Sequence, residues 1–336
     1  MHPLSDTTNL MPSKSTKVFT NLIDYLLKNI RHGTIELHWP DGKTETYRGK
    51  ENLHLKGVLI VHDWALLKQV VSGGAIGFGE GYLNKRWSSP HISILLEVLT
   101  LNLDEINKHI GKNKFIKLIT RLSHIMRPNS RSGSKKNIYE HYDLGNNFYE
   151  KWLDPSMTYS SAIFKNKNNS LESAQLEKYK SLAQSIDLKK EHHVLEIGCG
   201  WGGFAEYAAT HIGCRVTGLT ISQAQYDYAS ARMEKKGLTD KVTIKLQDYR
   251  DVQGDFDRIA SIEMFEAVGE KYWPTFFNKV SNILKPGGKA GLQIITIDDD
   301  KFNTYRKNTD FIQKYIFPGG MLPSKVVLKD EFDKAH

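Results

Sequence analysis

The stretch that most constrains the fold is residues 193–209, where a short apolar run leads into a glycine-rich turn and a second apolar segment. Residues 194–197 have strand character, residues 198–203 read Gly-Cys-Gly-Trp-Gly-Gly, and residues 204–209 have helical character. Strand, glycine turn and helix in this order bring the backbone close to a nucleotide-like ligand in α/β folds. Glycine suits such a turn because a Cβ would block the approach and because φ can be positive. By itself the turn is compatible with a dinucleotide, a nucleoside or no ligand.

Strand and helix patterns alternate from residue 193 onward. The strand patterns lie at 194–197, 215–220, 242–246, 257–262 and 291–297. Ser222 is placed to cap the helix after the second strand, and Ser170 to cap a helix over 171–186 that precedes the first. This alternation predicts an α/β fold with a parallel, doubly wound sheet and right-handed crossovers.

The first 125 residues have a different pattern, which is typical of a small α+β unit. An amphipathic helix over 19–30 is followed by a hairpin whose strands are 34–39 and 44–47. The remaining predicted elements are a strand at 58–61, a helix at 64–71 with Asp63 at its start, a flexible glycine-rich loop at 77–82, and helices at 92–110 and 115–126. We therefore expect three segments: an N-terminal α+β domain (1–125), a linker (126–137) and a second domain (138–336).

The linker is basic, with Arg127, Arg131, Lys135 and Lys136 and no acidic residue. A solvated linker and a strip apposed to anionic lipid headgroups both fit this composition. Each basic side chain near such a surface would contribute about 1 kcal/mol. The formal net charge of +8 likewise favours an anionic partner, whether nucleic acid, an anionic lipid surface or a phosphorylated substrate.

Composition also bears on the compartment. The two cysteines, Cys199 and Cys214, give no disulfide framework, which fits a reducing environment. The first 15 residues are polar and lack the apolar core of a signal peptide. No run approaches the roughly 20 apolar residues of a transmembrane helix. We expect a cytoplasmic chain that contacts the inner face of the membrane peripherally.

The residues after the predicted strands indicate the kind of ligand. The glycine turn contains no Lys or Arg, which a phosphate-binding loop would need. Thr220 stands after the second strand, where a dinucleotide site would have an acid. Asp248, with Gln247 beside it, is placed to meet an adenine amino group after the third strand. These features favour a nucleoside without phosphates.

Several ordered segments of the chain resemble one family. They are Val-Leu-Glu-Ile-Gly-Cys-Gly-Trp-Gly-Gly (194–203), Thr-Ile-Ser-Gln-Ala-Gln (220–225), Gln-Asp-Tyr-Arg-Asp (247–251), Met-Phe-Glu (264–266), His-Tyr-Asp-Leu-Gly-Asn (141–146), Leu-Asp-Pro-Ser-Met-Thr-Tyr-Ser (153–160) and Tyr-Ile-Phe-Pro-Gly-Gly (315–320). Together they are similar to the cyclopropane-fatty-acyl-phospholipid synthases over residues 137–325. The resemblance implies a class I methyltransferase sheet that binds S-adenosylmethionine. It also implies addition of the methyl carbon across the cis double bond of a phospholipid acyl chain, without a metal.

The resemblance implies a set of cofactor-binding residues. They are Tyr159, Ser160, Glu196, Gly198, Gly200, Trp201, Gly202, Thr220, Ser222, Gln225, Asp248 and Tyr249. His141 and Tyr142 would belong to a lid over the cofactor. The residue types agree with this assignment, because aromatic faces at Tyr159 and Trp201 suit a sulfonium cation. The cofactor carboxylate can meet backbone N–H groups at the start of the helix after Gly202.

The predicted catalytic residues depart from the family pattern. Methyl transfer leaves a carbocation, from which a base must take a proton. In the family this base looks to be a bicarbonate held by a cysteine, a glutamate and a histidine, and the matching residues here are Ser161, Glu266 and Gln293. Serine and glutamine donate hydrogen bonds but do not titrate near pH 7. The family resemblance makes a cyclopropane ring the first expectation, and these departures make a methyl- or methylene-branched chain the alternative. Glu263 is interpreted as structural.

The end of the chain raises a further alternative. Sheets of this class finish with two more strands, and the sequence after residue 297 has only helical patterns, at 311–316 and 325–334. We therefore expect a C-terminally truncated sheet whose fifth strand is an exposed edge, and an inactive remnant that binds lipid or cofactor is an alternative to the enzyme. A small-molecule methyltransferase, a dehydrogenase and a nucleic-acid methyltransferase fit less well, so no nucleic-acid partner is expected. A homodimer is one assembly that the chain could form.

Overall fold

The computed structural model describes residues 14–112 and 145–335, and these form two compact units, 1–130 and 131–336. Several sequence predictions lie outside the described residues: the basic linker, the helix expected over 115–126, His141 and Tyr142. In the described part of the chain, no helix is long and apolar enough to cross a membrane.

The first unit is a four-stranded sheet with helices. Its elements are α1 (Lys14–Leu27), β1 (His32–His38), β2 (Thr44–Arg48), β3 (Glu51–Val61), α2 (Ala65–Leu83), β4 (Trp87–Ser88), α3 (Ile92–Leu101) and α4 (Leu103–Lys112). The strand order is β2-β1-β3-β4. β1 pairs antiparallel with β2, as the hairpin pattern predicts, and parallel with β3, while β3 pairs antiparallel with β4. α3 lies close to β3 because Gly57 has no side chain: a Cβ there would be 2.9 Å from Leu95 Cα.

Asn102 ends α3 and fixes the start of β1. Its side chain is buried, and Oδ1 accepts hydrogen bonds from the backbone N–H groups of Arg31 (2.7 Å) and His32 (3.0 Å). Nδ2 donates to the carbonyls of His32 and Val98, both at 2.8 Å. Asn102 also divides the helix expected over 92–110 into α3 and α4.

The prediction of a flexible loop at 77–82 is wrong, because α2 continues through it to Leu83. The glycines that suggested a loop serve packing instead. Gly77 and Gly81 are buried, and a Cβ at either position would clash with a neighbour. Trp87 stacks on Phe78 with ring centroids 4.2 Å apart and donates from Nε1 to the Phe78 carbonyl. Gly74, with φ +54°, is the kink in the helix.

The second unit is built on a parallel sheet. Its elements are α5 (Asn146–Tyr149), α6 (Leu171–Ser185), β5 (His193–Ile197), α7 (Gly203–Tyr207, extended by a π-helical turn Ala208–Ile212), β6 (Arg215–Thr220), α8 (Gln223–Lys235), β7 (Val242–Leu246), β8 (Phe256–Ile262), α9 (Trp273–Ile283), β9 (Leu284–Gln293), α10 (Asp299–Tyr305), α11 (Phe311–Tyr315) and α12 (Lys325–Ala335). All pairings in the order β7-β6-β5-β8-β9 are parallel, which confirms the doubly wound sheet. Ser170 and Ser222 cap α6 and α8 as predicted.

Helices cover both faces of this sheet, so consecutive residues of β5 enter different cores. Val194 packs with Phe204 of α7, and Leu195 packs with Trp273 and Phe276 of α9. Strand residues that are buried on both faces explain the continuous apolar run at 194–197. The sheet therefore holds the glycine turn rigidly from both sides.

β9 starts earlier than the predicted 291–297 strand and ends at Gln293. Residues 286–288 form a bulge, because the register with β8 jumps from Phe256–Leu284 to Arg258–Lys289. Among the described strands β9 is one edge of the sheet. The chain after it forms the helices expected near 311–316 and 325–334, together with α10, which the sequence pattern did not indicate.

Candidate active site

A cavity of about 390 Å³ opens at the carboxyl ends of the strands. Its wall contains residues that follow β5, β6, β7 and β8, including the glycine turn. β6 and β8 lie on opposite sides of β5, so the cavity is at the switch point of the sheet, where ligands bind in doubly wound folds. All predicted cofactor-binding residues except Gly202 line it: Tyr159, Ser160, Glu196, Gly198, Gly200, Trp201, Thr220, Ser222, Gln225, Asp248 and Tyr249.

The glycine turn needs its glycines for two different reasons. Gly198 has φ +83°, and a Cβ there would lie 2.5 Å from Met264 Cγ. Gly200 has φ +53° and nothing within 4 Å of the Cβ position, so its backbone borders open space. Gly202 directly precedes α7 and has left-handed backbone angles. Its Cβ position faces Ala229 and Met233 of α8 and not the cavity.

The cavity wall includes the rings of Tyr159 and Trp201, and the buried ring of Tyr149, which does not line the cavity, packs against both. Tyr149 contacts Trp201 and Tyr159, with ring centroids 4.9 and 5.5 Å apart, and Trp152 packs edge-on against Tyr159 at 5.3 Å. Trp201 Nε1 donates to Asn146 Oδ1 (2.8 Å), which fixes α5 to the glycine turn. Burial raises the pKa of Tyr149 to about 12, so its hydroxyl stays neutral. The π faces of Tyr159 and Trp201, which line the cavity, can stabilise a cation.

The residues after β6 form a hydrogen-bonded network. Thr220 Oγ1 donates to Gln225 Oε1 (2.7 Å) and accepts from the Ser222 N–H (3.1 Å). Ser222 Oγ accepts from the Gln225 N–H as the cap of α8. The network fixes the Gln225 amide in the wall of the cavity.

The side chain of Asp248 is paired with Arg250, two residues later in the chain. Arg250 binds it through two contacts, Nε to Oδ1 (2.9 Å) and Nη2 to Oδ2 (2.6 Å). Arg250 lowers the pKa of the Asp248 carboxyl, which stays charged. An adenine amino group would therefore share this carboxylate with Arg250.

The three predicted catalytic residues do not line the cavity, and two of them meet at Glu263, which does. Glu263 Oε1 accepts hydrogen bonds from Ser161 Oγ (2.8 Å), Ser161 N–H (3.1 Å) and Gln293 Nε2 (2.8 Å). Glu266 bonds instead to the backbone N–H of Ile295, and its Oε2 is buried without a hydrogen-bond partner. Burial raises the pKa of Glu266.

Comparisons with known proteins agree with this geometry. The sequence model of the family described as mycolic acid cyclopropane synthetase matches residues 129–336. The chain belongs to this family.

Two curated relatives extend the match. The chain is 34% identical over 323 residues to the tuberculostearic acid methyltransferase UfaA1 of Mycobacterium tuberculosis, covering 91% of this chain and 72% of the relative. It is 40% identical over 262 residues to the cyclopropane-fatty-acyl-phospholipid synthase of Escherichia coli K12, covering 76% of this chain and 64% of the relative. The chain thus spans slightly less than two thirds of the second relative's length.

Solved structures of family members share the fold. The mycolic acid cyclopropane synthase CmaA1 complexed with SAH and CTAB superposes with a TM-score of 0.56 at 28% identity, covering 60% of this chain and 73% of that chain. The cyclopropane synthase MmaA2 of Mycobacterium tuberculosis gives 0.55 at 28% identity, with the same coverage. The second unit is therefore a class I S-adenosylmethionine-dependent methyltransferase fold.

S-adenosylmethionine fits the residues present in this family member. The open backbone at Gly200 leaves room for a ligand against the turn, and the aromatic wall suits a sulfonium. When bound, the cofactor supplies an activated methyl group. Tyr159 and Trp201 would flank its charged end, Gln225 would offer its side-chain amide, and Asp248 would lie near the adenine.

Two charged residue types are buried at the cavity, Glu196 in its wall and Lys178, which does not line it. Glu196 and Lys178 are each 2% exposed, and the Lys178 Nζ and one Glu196 oxygen have no hydrogen-bond partner. Burial raises the pKa of Glu196 well above its usual range and lowers that of Lys178 to about 8. Gln175, also buried, donates to the Ser160 carbonyl (2.9 Å) and so supports the segment that carries Tyr159.

The sequence pattern did not indicate that Glu263 contacts Ser161 and Gln293. Glu263 has φ +47°, in the left-handed region that residues other than glycine rarely adopt. Its place directly after β8 was the available signal, because the carboxyl end of a strand next to the switch point is where functional residues lie. The pairing with Ser161, 102 positions earlier in the chain, has no local pattern.

Proposed function

We propose that the chain transfers the methyl carbon of S-adenosylmethionine to the double bond of an unsaturated acyl chain in a membrane phospholipid, giving a cyclopropane fatty acid. The observation that carries this proposal is the aromatic-walled cavity at the switch point with the Ser161, Glu263 and Gln293 cluster at its edge. The names of the two curated relatives support lipid acyl chains as the substrate class.

The proposed reaction is chiefly a matter of positioning. The cavity holds the methyl donor, so that an acyl double bond lying against it can attack in line. The positive charge that develops on the acyl chain would lie beside the cavity wall, which contains the rings of Tyr159 and Trp201. A proton must leave the cation, and where it leaves determines the product. Loss from the added methyl group closes a ring, and loss from a neighbouring carbon leaves an alkene.

A methyl- or methylene-branched product is the second candidate. Ser161 and Gln293 stand where the resemblance implies cysteine and histidine, so the group that takes the proton differs from the family pattern. The relative with the longer alignment is a tuberculostearic acid methyltransferase, which supports this candidate. An inactive remnant that binds lipid or cofactor is the third candidate.

The lipid partner and location are also proposals. We infer that the chain contacts anionic membrane surfaces peripherally, at the cytoplasmic face, with the segment 1–125 on the lipid side and the basic residues of 126–137 near headgroups. The net charge of +8 supports this. Sedimentation with anionic and zwitterionic vesicles tests it: binding to anionic vesicles alone, reversed by salt, is expected, and equal binding to both would contradict it. A homodimer stays a prediction, which analytical ultracentrifugation would test.

The deciding experiment for the reaction is incubation with methyl-labelled S-adenosylmethionine and vesicles of unsaturated anionic phospholipid, followed by mass spectrometry of the fatty acids. Label in a saturated ring supports the first candidate, and label in an alkene or branched chain supports the second. If calorimetry shows cofactor binding but no lipid is labelled, the result supports the third candidate, an inactive remnant. The matched control is the same incubation with fully saturated phospholipid, which offers no double bond and must remain unlabelled.

A further inference from the structure

The cluster at the edge of the cavity already contains an anion. Three donors converge on a single carboxylate oxygen of Glu263: the N–H and Oγ of Ser161 and the Nε2 of Gln293. Gln293 Nε2 also lies 3.0 Å from Ser161 Oγ and 3.2 Å from Ser160 Oγ. Its amide therefore belongs to the same hydrogen-bonded cluster as Ser161 and Glu263. Convergent N–H and O–H donors of this kind stabilise a negative charge.

Of the two carboxylates in this region, only Glu263 reaches both these donors and the cavity. Glu263 is part of the cavity wall. Glu266 is not, and one of its oxygens is bonded to the backbone N–H of Ile295 while the other is buried. Burial raises the pKa of Glu266, and its place outside the cavity wall separates it from a ligand in the cavity.

The backbone at Glu263 supports a functional role. Its φ of +47° is unfavourable for any residue with a Cβ, and the Glu263 N–H donates to the Gln293 carbonyl (2.9 Å), which holds the residue in this conformation. Strained residues that persist in a fold cluster at active sites. In this conformation the Glu263 carboxylate accepts hydrogen bonds from Ser161.

We propose that Glu263 is the proton acceptor of the reaction and takes the place of a separately bound bicarbonate; this rests on the proposed function. The ionised Glu263 carboxylate removes a proton from the carbocation formed by methyl transfer. The electron pair of the broken C–H bond forms the new C–C bond of the ring, or the double bond of a branched product, and Glu263 becomes the neutral acid. The proton then passes to solvent.

Bicarbonate does not fit beside this carboxylate. The donors that would hold it, Ser161 and Gln293, are occupied by Glu263 Oε1. A second anion within hydrogen-bonding distance would meet a like charge, which disfavours its ionised form. The cluster therefore accommodates one anion, and the chain supplies it.

Glu263→Gly is the informative variant. Glycine adopts a φ of +47° freely, so the backbone is expected to keep its conformation while the donors lose their anion. Glu263→Gln is the matched control, because the amide keeps the volume of the side chain and still occupies the donors but cannot accept the proton. Circular dichroism and calorimetric binding of S-adenosylmethionine establish that both variants are folded.

Binding of ¹³C-bicarbonate, followed by NMR line broadening, tests the occupancy of the cluster without any turnover. Saturable binding is expected only for Glu263→Gly. Saturable binding to the wild type would overturn the proposal, and so would the absence of binding to folded Glu263→Gly.

Turnover tests the proton transfer. The wild-type rate is expected to change less than twofold when bicarbonate is removed, and both variants are expected to lose at least 100-fold. Added bicarbonate or formate should restore Glu263→Gly tenfold or more but not Glu263→Gln. A wild type that depends on bicarbonate, or a Glu263→Gly variant that is fully active without it, would refute the role of Glu263. A wild type that labels no lipid would refute the proposed function, while the NMR result would still decide the occupancy of the cluster.

Discussion

Replacing Lys178 by methionine is expected to stabilise the second unit at neutral pH. The Lys178 side chain is 2% exposed and its Nζ has no hydrogen-bond partner, so the ammonium loses its hydration on folding. Burial lowers its pKa, and the charges of Glu263, Asp154 and Glu196 only partly oppose this. Methionine has a similar length and flexibility and carries no charge.

The size of the effect follows from the pKa. The value falls from 10.5 to about 8, and at about 1.4 kcal/mol for each pKa unit this corresponds to roughly 3 kcal/mol. Because the folded-state pKa lies below the unfolded one, the unfolded chain binds more protons between these pH values. The cost is therefore fully present below about pH 8 and disappears as the pH rises toward 10.5.

Urea unfolding of wild type and Lys178→Met at pH 7, 8, 9 and 10 measures this difference. The variant is expected to be more stable by up to about 3 kcal/mol at pH 7, with the advantage shrinking steadily toward pH 10. Other groups that titrate in this range are present in both proteins and cancel. Lys180→Met, on the exposed face of the same helix, is the control and should stay within about 0.5 kcal/mol of wild type. A variant that is less stable than wild type at pH 7 would refute the reasoning, because it would show that the ammonium is paired in a buried ion pair.

Three further substitutions test other parts of the structure. Gly198→Ala should weaken S-adenosylmethionine binding at least tenfold by calorimetry, because a Cβ would lie 2.5 Å from Met264 Cγ. The control Gly237→Ala, also at positive φ but with nothing within 4 Å of the Cβ position, should bind the cofactor normally. Equal losses in the two variants would show that backbone strain alone matters. Asn102→Ala should cost the first unit about 2–4 kcal/mol in urea unfolding, because four backbone groups lose their partners, and a loss below about 1 kcal/mol would mean that water replaces the amide. Phe276→Ala should destabilise the second unit by about 3–5 kcal/mol through the cavity it leaves, with a small loss indicating that neighbouring rings collapse into the space.

Periodicity predicted the second unit well because its sheet is regular. The strands β5 to β8 are apolar runs between helical patterns, and the caps Ser170 and Ser222 are local signals. The glycines of α2 misled the prediction, since Gly77 packs closely against the Gln69 carbonyl and Gly81 against Leu66 and Trp87. The sequence around these glycines does not show which residues they contact. The strand predicted at 291–297 starts earlier because pairing with β8 includes Leu284 and resumes at Lys289, immediately after the bulge at 286–288.

The cofactor cavity was predictable, and the proton-accepting cluster was not. Motifs that follow strands in a doubly wound sheet must meet at one edge, so the residues from Gly198 to Tyr249 could be assigned to one cavity. The choice between Glu263 and Glu266 depends on a φ angle and on hydrogen bonds to segments more than 25 residues away. Residue type cannot distinguish two glutamates three positions apart.

The strand order β7-β6-β5-β8-β9 has a consequence for how the second unit assembles during synthesis. β5, the first strand of this unit to emerge from the ribosome, is the central one, and β6 and β7 add to one of its edges. Its other edge waits for β8, whose last residue is Ile262. A nascent chain that ends at β7 therefore exposes one unpaired edge of the apolar strand β5. Chains of this length should be the most prone to aggregation and chaperone binding. Proteolysis of stalled nascent chains should accordingly show protection of β5 only once β8 has left the ribosomal tunnel.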